Sequence, residues 1–170
     1  VSIKELDNKW YKEKYQNLKH LNISNNSLPI LKLKDYKYLE TILASNSQIY
    51  EVELNLPSLS KLDLSRNNLK RMFDLSNIKY LTELNLSQNS IRELSFDLFK
   101  SVKATLSVLD LSENLIEFND VKEFFNFAET FGKSMKELTV FNVDGNPFTN
   151  KKKYKDNYQS LIRANFLNLK

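Results

Sequence analysis

Apolar residues recur along the chain at one fixed spacing. An eleven-residue string of the form LxxLxLxxNxL occurs six times, and five copies keep the asparagine while the second has Ser47 in its place. Successive copies lie 21, 20, 22, 25 and 32 residues apart, so the last two repeats carry insertions. Such a period predicts a stack of similar structural units. The copies begin at Leu18, Leu39, Leu59, Leu81, Leu106 and Leu138.

The centre of each string alternates apolar and polar residues, which predicts a short β-strand with one buried face. Stacked copies place these strands side by side in a parallel sheet. The asparagine stands where the strand ends, and its side-chain amide can bond backbone groups that the turn leaves unpaired. We expect Ser47 to do this only in part.

Between the strings, apolar residues fall every three positions, most clearly over residues 69–81, which predicts a 3₁₀ or irregular outer side. The longer repeats leave room for helices. We predict a short helix within residues 96–102 and an amphipathic α-helix after Asp120 that ends at Gly132. The apolar side of the second helix is predicted to carry Val121, Phe124, Phe125, Ala128 and Phe131.

This pattern resembles the leucine-rich-repeat family over residues 18–148. The period near 21 or 22 is similar to the subclass typified by the regulatory subunit of type-one protein phosphatase. The resemblance implies an α/β solenoid, with a curved parallel β-sheet on its concave face and 3₁₀, irregular and some helical segments on its convex face. We expect residues 1–17 to form an N-terminal cap or partial repeat, 18–148 six repeats, and 149–170 a C-terminal capping helix and a truncated final strand.

A solenoid leaves apolar core exposed at both ends, and each end needs a cover. At the C-terminus one helical face is formed by Tyr154, Tyr158, Leu161 and Ile162, followed by Phe166, Leu167 and Leu169. This segment resembles the C-terminal cap of intracellular family members such as an axonemal dynein light chain, the A-prime protein of a spliceosomal particle and messenger-RNA export receptors, but lacks the usual proline. At the N-terminus, apolar residues at helical spacing are Ile3, Leu6 and Trp10. We interpret them as part of a capping helix rather than a partial repeat.

The outward residues of the six predicted strands form three columns across the concave face, where the family usually binds its partners. We predict that the first two columns form the binding surface. The first column is His20, Thr41, Lys61, Glu83, Val108 and Val140. The second is Asn22, Leu43, Asp63, Asn85, Asp110 and Asn142. A third column, interpreted as a structural preference beside turns, is Ser24, Ser45, Ser65, Ser87, Ser112 and Asp144.

The C-terminal end of the first column is apolar. Outward valines on an open sheet lower solubility unless they are covered, either by a partner or by another side chain of the same chain. Asp63, Asp110 and Glu83 could accept basic groups from a peptide. Because exposed charge pairs contribute roughly 0 to 1 kcal/mol each, they would tune specificity more than affinity.

One dense run of basic residues follows the last repeat and is formed by Lys151, Lys152, Lys153 and Lys155. Without these four lysines the basic residues number 21 and balance the 21 acidic residues. We interpret the run as a solvated helix start, with a contact to RNA or to an acidic protein as the alternative. Tyr154 and Tyr158 fit a buried cap face better than a platform for stacking bases.

The composition gives no support to catalysis, metal binding or cofactor binding. With one histidine, no cysteine and two glycines, the chain offers no nucleophile with its base, no metal-ligand spacing and no Gly-rich phosphate loop. We interpret His20 as an outward, solvated side chain. The lack of cysteine, and of any apolar run near the roughly 18 residues that span a bilayer, favours an intracellular protein in the cytoplasm or nucleus, without membrane contact.

Together these patterns favour a non-enzymatic interaction scaffold, part of a longer protein, that binds a protein partner on the concave face. A cytoskeletal, ciliary or centrosomal assembly is the expected context. A ribonucleoprotein or messenger-RNA export component, with RNA contacts through the basic run, is the second hypothesis. Regulation of a protein phosphatase, which the repeat subclass suggests, is the third.

Overall fold

Six short strands form one parallel sheet, and each covers the centre of one repeat. The computed structural model describes residues 15–151, 158–166 and 168–169. The strands stack in chain order, which confirms the predicted solenoid built on a parallel sheet. They are β1 (His20–Asn22), β3 (Thr41–Leu43), β5 (Lys61–Asp63), β6 (Glu83–Asn85), β7 (Val108–Asp110) and β8 (Val140–Asn142).

The middle residue of each strand points into the core because successive side chains of a strand alternate between its two faces. Ile42, Leu62, Leu84 and Leu109 are fully or almost fully buried at this position. Consecutive strands pair without a shift in register, so equivalent residues of neighbouring repeats lie side by side. The burial of one leucine row after another therefore produces a single continuous core.

A ladder of buried asparagines joins each repeat to the one before it. The Asn67 amide nitrogen donates to the carbonyls of Ala44, Leu64 and Ser65 at 2.8, 2.9 and 3.1 Å. Its side-chain oxygen accepts from the backbone N–H groups of Ser47 and Ile49 at 3.0 and 2.9 Å. Each asparagine thereby satisfies polar groups of two repeats at once. Equivalent bridges are made by Asn89, Asn114 and Asn146.

Ser47 substitutes for asparagine with a different set of bonds. Its hydroxyl contacts the carbonyls of Ile23 and Ser45 at 2.9 and 3.1 Å. The N–H of Leu28, whose counterparts in later repeats bond an asparagine side chain, donates instead to the backbone carbonyl of Ser47 at 2.9 Å. Gln48 follows in the left-handed conformation, with φ of 62°. A backbone carbonyl therefore accepts a hydrogen bond that an asparagine side chain accepts in the later repeats.

One residue of every turn that follows a strand of the main sheet has a left-handed backbone. This position comes directly after the third outward column. The angle φ lies between 51° and 74° at Asn25, Asn46, Arg66, Gln88, Glu113 and Gly145. For a residue other than glycine this conformation costs roughly 1 kcal/mol or more, and less for asparagine.

Two longer strands form a second parallel sheet on the opposite side of the core, and the three-residue spacing did not predict them. β2 (Ile30–Lys34) pairs along its whole length with β4 (Glu51–Asn55). On the outer face Lys32 lies 2.7 Å from Glu51, whose hydrogen bond and charge raise the pKa of the lysine. The first two repeats thus differ from the expected 3₁₀ or irregular structure, whereas residues 69–81 form turns and irregular segments as expected.

The inserted residues of the fourth and fifth repeats form helices. A 3₁₀ helix covers Phe96–Phe99, and α1 covers Val121–Ser134. Asp120 caps α1 by accepting the N–H of Glu123 at 2.8 Å, while the Glu123 carboxylate accepts the N–H of Asn119, the residue before the cap, at 2.6 Å. Two further helices are α2 (Pro147–Asn150) and α3 (Tyr158–Asn165).

Two details of the predicted α1 are wrong. Gly132 does not end the helix, which continues to Ser134; a Cβ at this position would lie 2.3 Å from the carbonyl oxygen of Asn165. The glycine is therefore needed for the close approach of α1 to α3. Val121 and Phe125 were expected on the apolar side but are 42% and 44% exposed.

Aromatic side chains close the C-terminal end of the core. Phe141 of β8 stacks on Phe166 with ring centroids 5.1 Å apart, and both contact Phe131 of α1. Ile162 of α3 is buried beside them. Tyr154 and Leu167 of the predicted cap lie outside the described residues, as do Ile3, Leu6 and Trp10 at the N-terminus. The assignment of either end to a family cap, and the three domain boundaries, remain predictions.

Candidate partner-binding face

The structure places the first outward column in one row across the main sheet. His20 pairs with Thr41, Thr41 with Lys61, and the register continues without interruption to Val140. All six side chains are exposed or half-buried. The proposed surface therefore exists as a continuous row, one residue from each repeat.

Charges in the middle of this row are paired with each other. Lys61 forms an ion pair with Glu83, its neighbour on the adjacent strand, and both side chains keep nearly half of their surface exposed. Directly before the strands β1 and β3, the residues Lys19 and Glu40 form a similar ion pair at 3.2 Å. Exposed pairs contribute little to stability. Each pair adds no net charge to the face.

The second column has a structural role that sequence reasoning missed. The Oδ1 atoms of Asp63, Asn85 and Asp110 accept the N–H of the residue two positions later, at 2.9, 3.0 and 2.9 Å. Asn22 and Asn142 do the same at 3.1 Å. Such local bonds hold the turn that follows each strand. The signal was an Asx residue at five of six positions, because only these side chains reach their own backbone in this way.

Leu43 is the exception in the second column because its side chain cannot accept a hydrogen bond, and a different bond replaces the local one in this repeat. The N–H of Ser45 donates to the hydroxyl of Ser24 in the preceding repeat, at 3.2 Å. Ser87 and Ser112 in turn donate their hydroxyl groups to Asn85 and Asp110. These bonds support the structural interpretation of the serine column.

A ladder of hydroxyl groups runs along the lower edge of the face, directly before the strands, and it was not predicted. Thr82 donates its hydroxyl to the carbonyl of Ser60 at 2.9 Å, Ser107 to that of Thr82 at 3.0 Å, and Thr139 to that of Ser107 at 3.1 Å. The same carbonyls accept two backbone N–H groups from the next repeat. The edge of the face is thus fully bonded and held rigidly.

The last two strands carry the apolar end of the face. Val108 and Val140 are directly paired across β7 and β8, and Val140 is 45% exposed. Val140 is partly covered and shares the lining of one groove with Tyr158 and Arg163 of α3, and a partner could cover what remains exposed. The polar residues beside them are bonded to one another, with the Asn142 amide nitrogen 3.4 Å from Oδ2 of Asp110.

The basic run is described only at its first residue. Lys151 is exposed, and its ammonium group lies 3.2 Å from a carboxylate oxygen of Glu117. Lys152, Lys153 and Lys155 lie outside the described residues. Over the described ranges no group of three or more His, Asp or Glu side chains could hold a metal ion. His20 is exposed on the first strand, with no acid and nucleophile beside it among the residues of known position.

The Leucine Rich Repeat family model matches residues 17–35 and 80–102, which include β1 and β6. The two repeats that contain these strands thus match the repeat of that family. Toll-like receptor 2 type-2 of Gallus gallus is 32% identical over 99 residues, which are 58% of this chain and 12% of that protein. Leucine-rich repeat serine/threonine-protein kinase 1 of Mus musculus is 34% identical over 119 residues, 61% of this chain and 6% of the kinase. The chain thus spans only a small part of these relatives.

Solved structures show the same fold. The functional domain of InlJ from Listeria monocytogenes, which includes a cysteine ladder, has a TM-score of 0.60 and 26% identity, and the match covers 79% of this chain and 27% of InlJ. In the Toll–Spätzle complex of Drosophila the matched chain has a TM-score of 0.56 and 20% identity, covering 94% of this chain and 24% of that one. Leucine-rich repeats of this kind are protein-interaction modules and are generally not enzymes. No described helix is long and apolar enough to cross a membrane.

Proposed function

We propose that this chain is a protein-interaction scaffold that binds a protein partner at the apolar C-terminal end of its concave face. The observation that carries the proposal is the exposed Val140 next to Val108 in the first outward column. Two adjacent outward valines on an open sheet form an apolar patch whose exposed surface is stabilised when another surface covers it.

The surroundings of the valines suit recognition because they are already ordered before binding. Asp110 is bonded to the Ser112 N–H and hydroxyl group, and Asn142 to the Asp144 N–H. A rigid polar rim around a small apolar centre is the usual arrangement of a protein interface. Little conformational entropy is then lost at this surface when the partner binds.

The charges around the patch indicate the chemistry of the partner. Asp110 lies on β7 two residues after Val108, Asp144 lines a groove together with Val140, and no basic side chain of the described residues forms an ion pair with either carboxylate. We infer that the partner presents an apolar side chain flanked by lysine or arginine. This deepens the earlier expectation that carboxylates of the face accept basic groups from a peptide. Membership in a cytoskeletal, ciliary or centrosomal assembly is part of the proposal and rests on family resemblance.

The test is affinity purification of the full-length protein with mass spectrometry, comparing the wild type with the double variant V108D/V140D. Both valines are already partly covered, so covering the rest is worth roughly 0.7 kcal/mol each, and each new carboxylate must also be desolvated. We therefore expect binding to weaken at least about 10-fold. V121D introduces the same charge at an exposed valine of α1, away from the face, and serves as the matched control.

Circular dichroism must show that both variants fold. The proposal is supported if a set of proteins is recovered with the wild type and V121D but is lost with V108D/V140D. Full recovery of every partner by the folded double variant would overturn it. Loss with V121D and not with the double variant would place the interface on α1 instead.

A further inference from the structure

The edge of β8 that faces away from β7 is a second candidate binding site, and it adjoins the apolar end of the concave face at Val140. Val140 donates its N–H to the carbonyl of Ser107, and the carbonyl of Asn142 accepts from Leu111, at 3.1 and 2.8 Å. Backbone groups of a parallel strand point to its two neighbours at alternate residues. Those of Phe141, between them, therefore point away from β7 and toward the open edge.

Equivalent groups are bonded at every earlier junction of the main sheet. The position of Val143 is held in earlier repeats by Leu64, Leu86 and Leu111, which donate to the next strand at 2.9, 2.8 and 2.8 Å. The position of Gly145 is held by Glu113, which donates to Asp144 at 2.8 Å. Among the described residues, the N–H groups of Phe141, Val143 and Gly145 have no such partner. The edge thus offers a row of backbone donors and acceptors in the spacing of one more strand.

A groove of about 540 Å³ lies against this edge, between β8 and α3. Phe141, Ile162 and Leu169 form an apolar part of its lining, and Arg163 contributes a positive charge. No carboxylate of the described residues pairs with Arg163. The Asp144 carboxylate at the upper rim accepts the hydroxyl of Tyr158 at 2.7 Å. The groove therefore combines unpaired backbone groups, an apolar floor and one unpaired cation.

We propose that this groove binds an extended acidic segment of a partner protein, which adds to the main sheet as a further parallel strand. Strand addition to an exposed edge is a general mode of peptide recognition, in which backbone bonds supply affinity and alternate side chains supply specificity. Here the inward side chain of the added strand is apolar and contacts Phe141, Ile162 and Leu169. A carboxylate of the segment pairs with Arg163.

The probe is a synthetic peptide with the sequence of residues 105–115 of this chain, TLSVLDLSENL, which contains β7 and carries two acidic residues. In the intact fold, β7 presents the backbone groups of Val108 and Asp110 to the preceding strand, since Val108 donates to Thr82 and Asp110 accepts from Leu86. A peptide that binds β8 in the same register must use those two residues. Fluorescence anisotropy of a labelled peptide measures its affinity for the intact protein.

N-methylation of the peptide provides a matched pair. Methyl groups on the amides of the Val108 and Asp110 positions remove the donors that face β8, and we expect affinity to fall at least tenfold. Methyl groups on the amides of the Leu109 and Leu111 positions face away from β8 and should change affinity less than threefold. Equal loss for both peptides, or binding by neither the parent peptide nor its analogues, would overturn the proposal.

Charge reversal tests the second element of the groove. R163E should lower the affinity for the parent peptide about fivefold. For a peptide with lysine at both acidic positions, R163E should have a higher affinity than the wild type. R71E, an exposed arginine on the opposite side of the solenoid, is the control and should change neither affinity. If R71E acts like R163E, the charge effect is non-specific and the acidic character of the segment is disproved.

The same experiments separate this site from the concave face. V121D and the single variant V108D, whose position on β7 does not line the groove, can be tested with the labelled peptide. Loss of peptide binding in folded V108D alone would place the peptide on the valine patch, which contradicts strand addition. Analytical ultracentrifugation of the protein without peptide tests the other occupant of a free edge, a second copy of the chain. If the protein forms a dimer that the peptide dissociates, a second copy of the chain occupies the edge in place of a partner segment, and the proposal is overturned.

Discussion

Replacing Asn67 with alanine should be among the most damaging single changes in the array. The side chain is buried and makes five hydrogen bonds, three of which join the third repeat to the second while two hold its own turn. In this variant the carbonyl of Leu64 would still accept from the Asn89 amide, and the carbonyl of Ser65 from the N–H of Asn46. The N–H groups of Ser47 and Ile49 would lose the bonds that satisfy them.

The magnitude follows from that count. Asn67→Ala leaves two buried N–H groups, and the carbonyl of Ala44, without a partner, and each such group costs about 1–3 kcal/mol. We expect the free energy of unfolding to fall by roughly 3–5 kcal/mol, since water can reach part of the new cavity. Asn67→Ser should lose less, because Ser47 shows that a hydroxyl can keep two carbonyl contacts.

Urea denaturation followed by circular dichroism measures the loss, and amide hydrogen exchange shows where it acts. The N–H groups of Ser47 and Ile49 should lose protection in the alanine variant before those of the later strands. If Asn67→Ala lowers the free energy of unfolding by less than about 1 kcal/mol, the asparagine ladder does not couple the repeats as inferred. If the variant is unfolded without urea, the serine variant still gives a measurable intermediate value.

Three further changes test other parts of the structure. Gly132→Ala forces a Cβ against the carbonyl of Asn165, and we expect a loss of about 1–3 kcal/mol with earlier proteolysis of α3. Gly145→Ala, at φ of 74°, should lower stability by about 1–2 kcal/mol in thermal denaturation. Burial and the bond to Asp144 raise the pKa of Tyr158 above 10.0. The contribution of the neutral side chain to the free energy of unfolding is therefore complete below that value and is lost as pH rises through the raised pKa. Tyr158→Phe should reduce the loss of stability between about pH 8 and about pH 11, measured by urea denaturation at each pH.

The main sheet and its outward columns followed from the sequence because their cause is local and repeated. Period-two alternation determines which face each residue occupies, and a fixed repeat then aligns equivalent positions of neighbouring strands. Val108 and Val140 could be paired in this way without coordinates. The role of the second column could not, because an Asx bond to the backbone depends on turn geometry that the pattern of apolar residues does not contain.

The second sheet shows a different kind of failure. Ile30–Lys34 and Glu51–Asn55 also alternate apolar and polar residues, as β-strands do, but the longer three-residue spacing of the third repeat was extended to them. Gly132 was misinterpreted for another reason. A glycine near a helix end favours termination, and only the approach of α3 reveals that this one makes room for a carbonyl group. The unpaired N–H groups at the edge of β8 depend on how the backbone of each repeat bonds to the next, which the pattern of side chains does not contain.

The left-handed residues at the rim of the face have a consequence for how this surface can change. Arg66, Gln88 and Glu113 hold a conformation that costs each of them roughly 1 kcal/mol, while Gly145 holds it without that strain. Glycine at the other positions would relieve the strain but would remove a side chain from the rim of the proposed binding face. Selection for tighter recognition and selection for a more stable array therefore act on this rim in opposite directions, and variation there records which of the two prevailed.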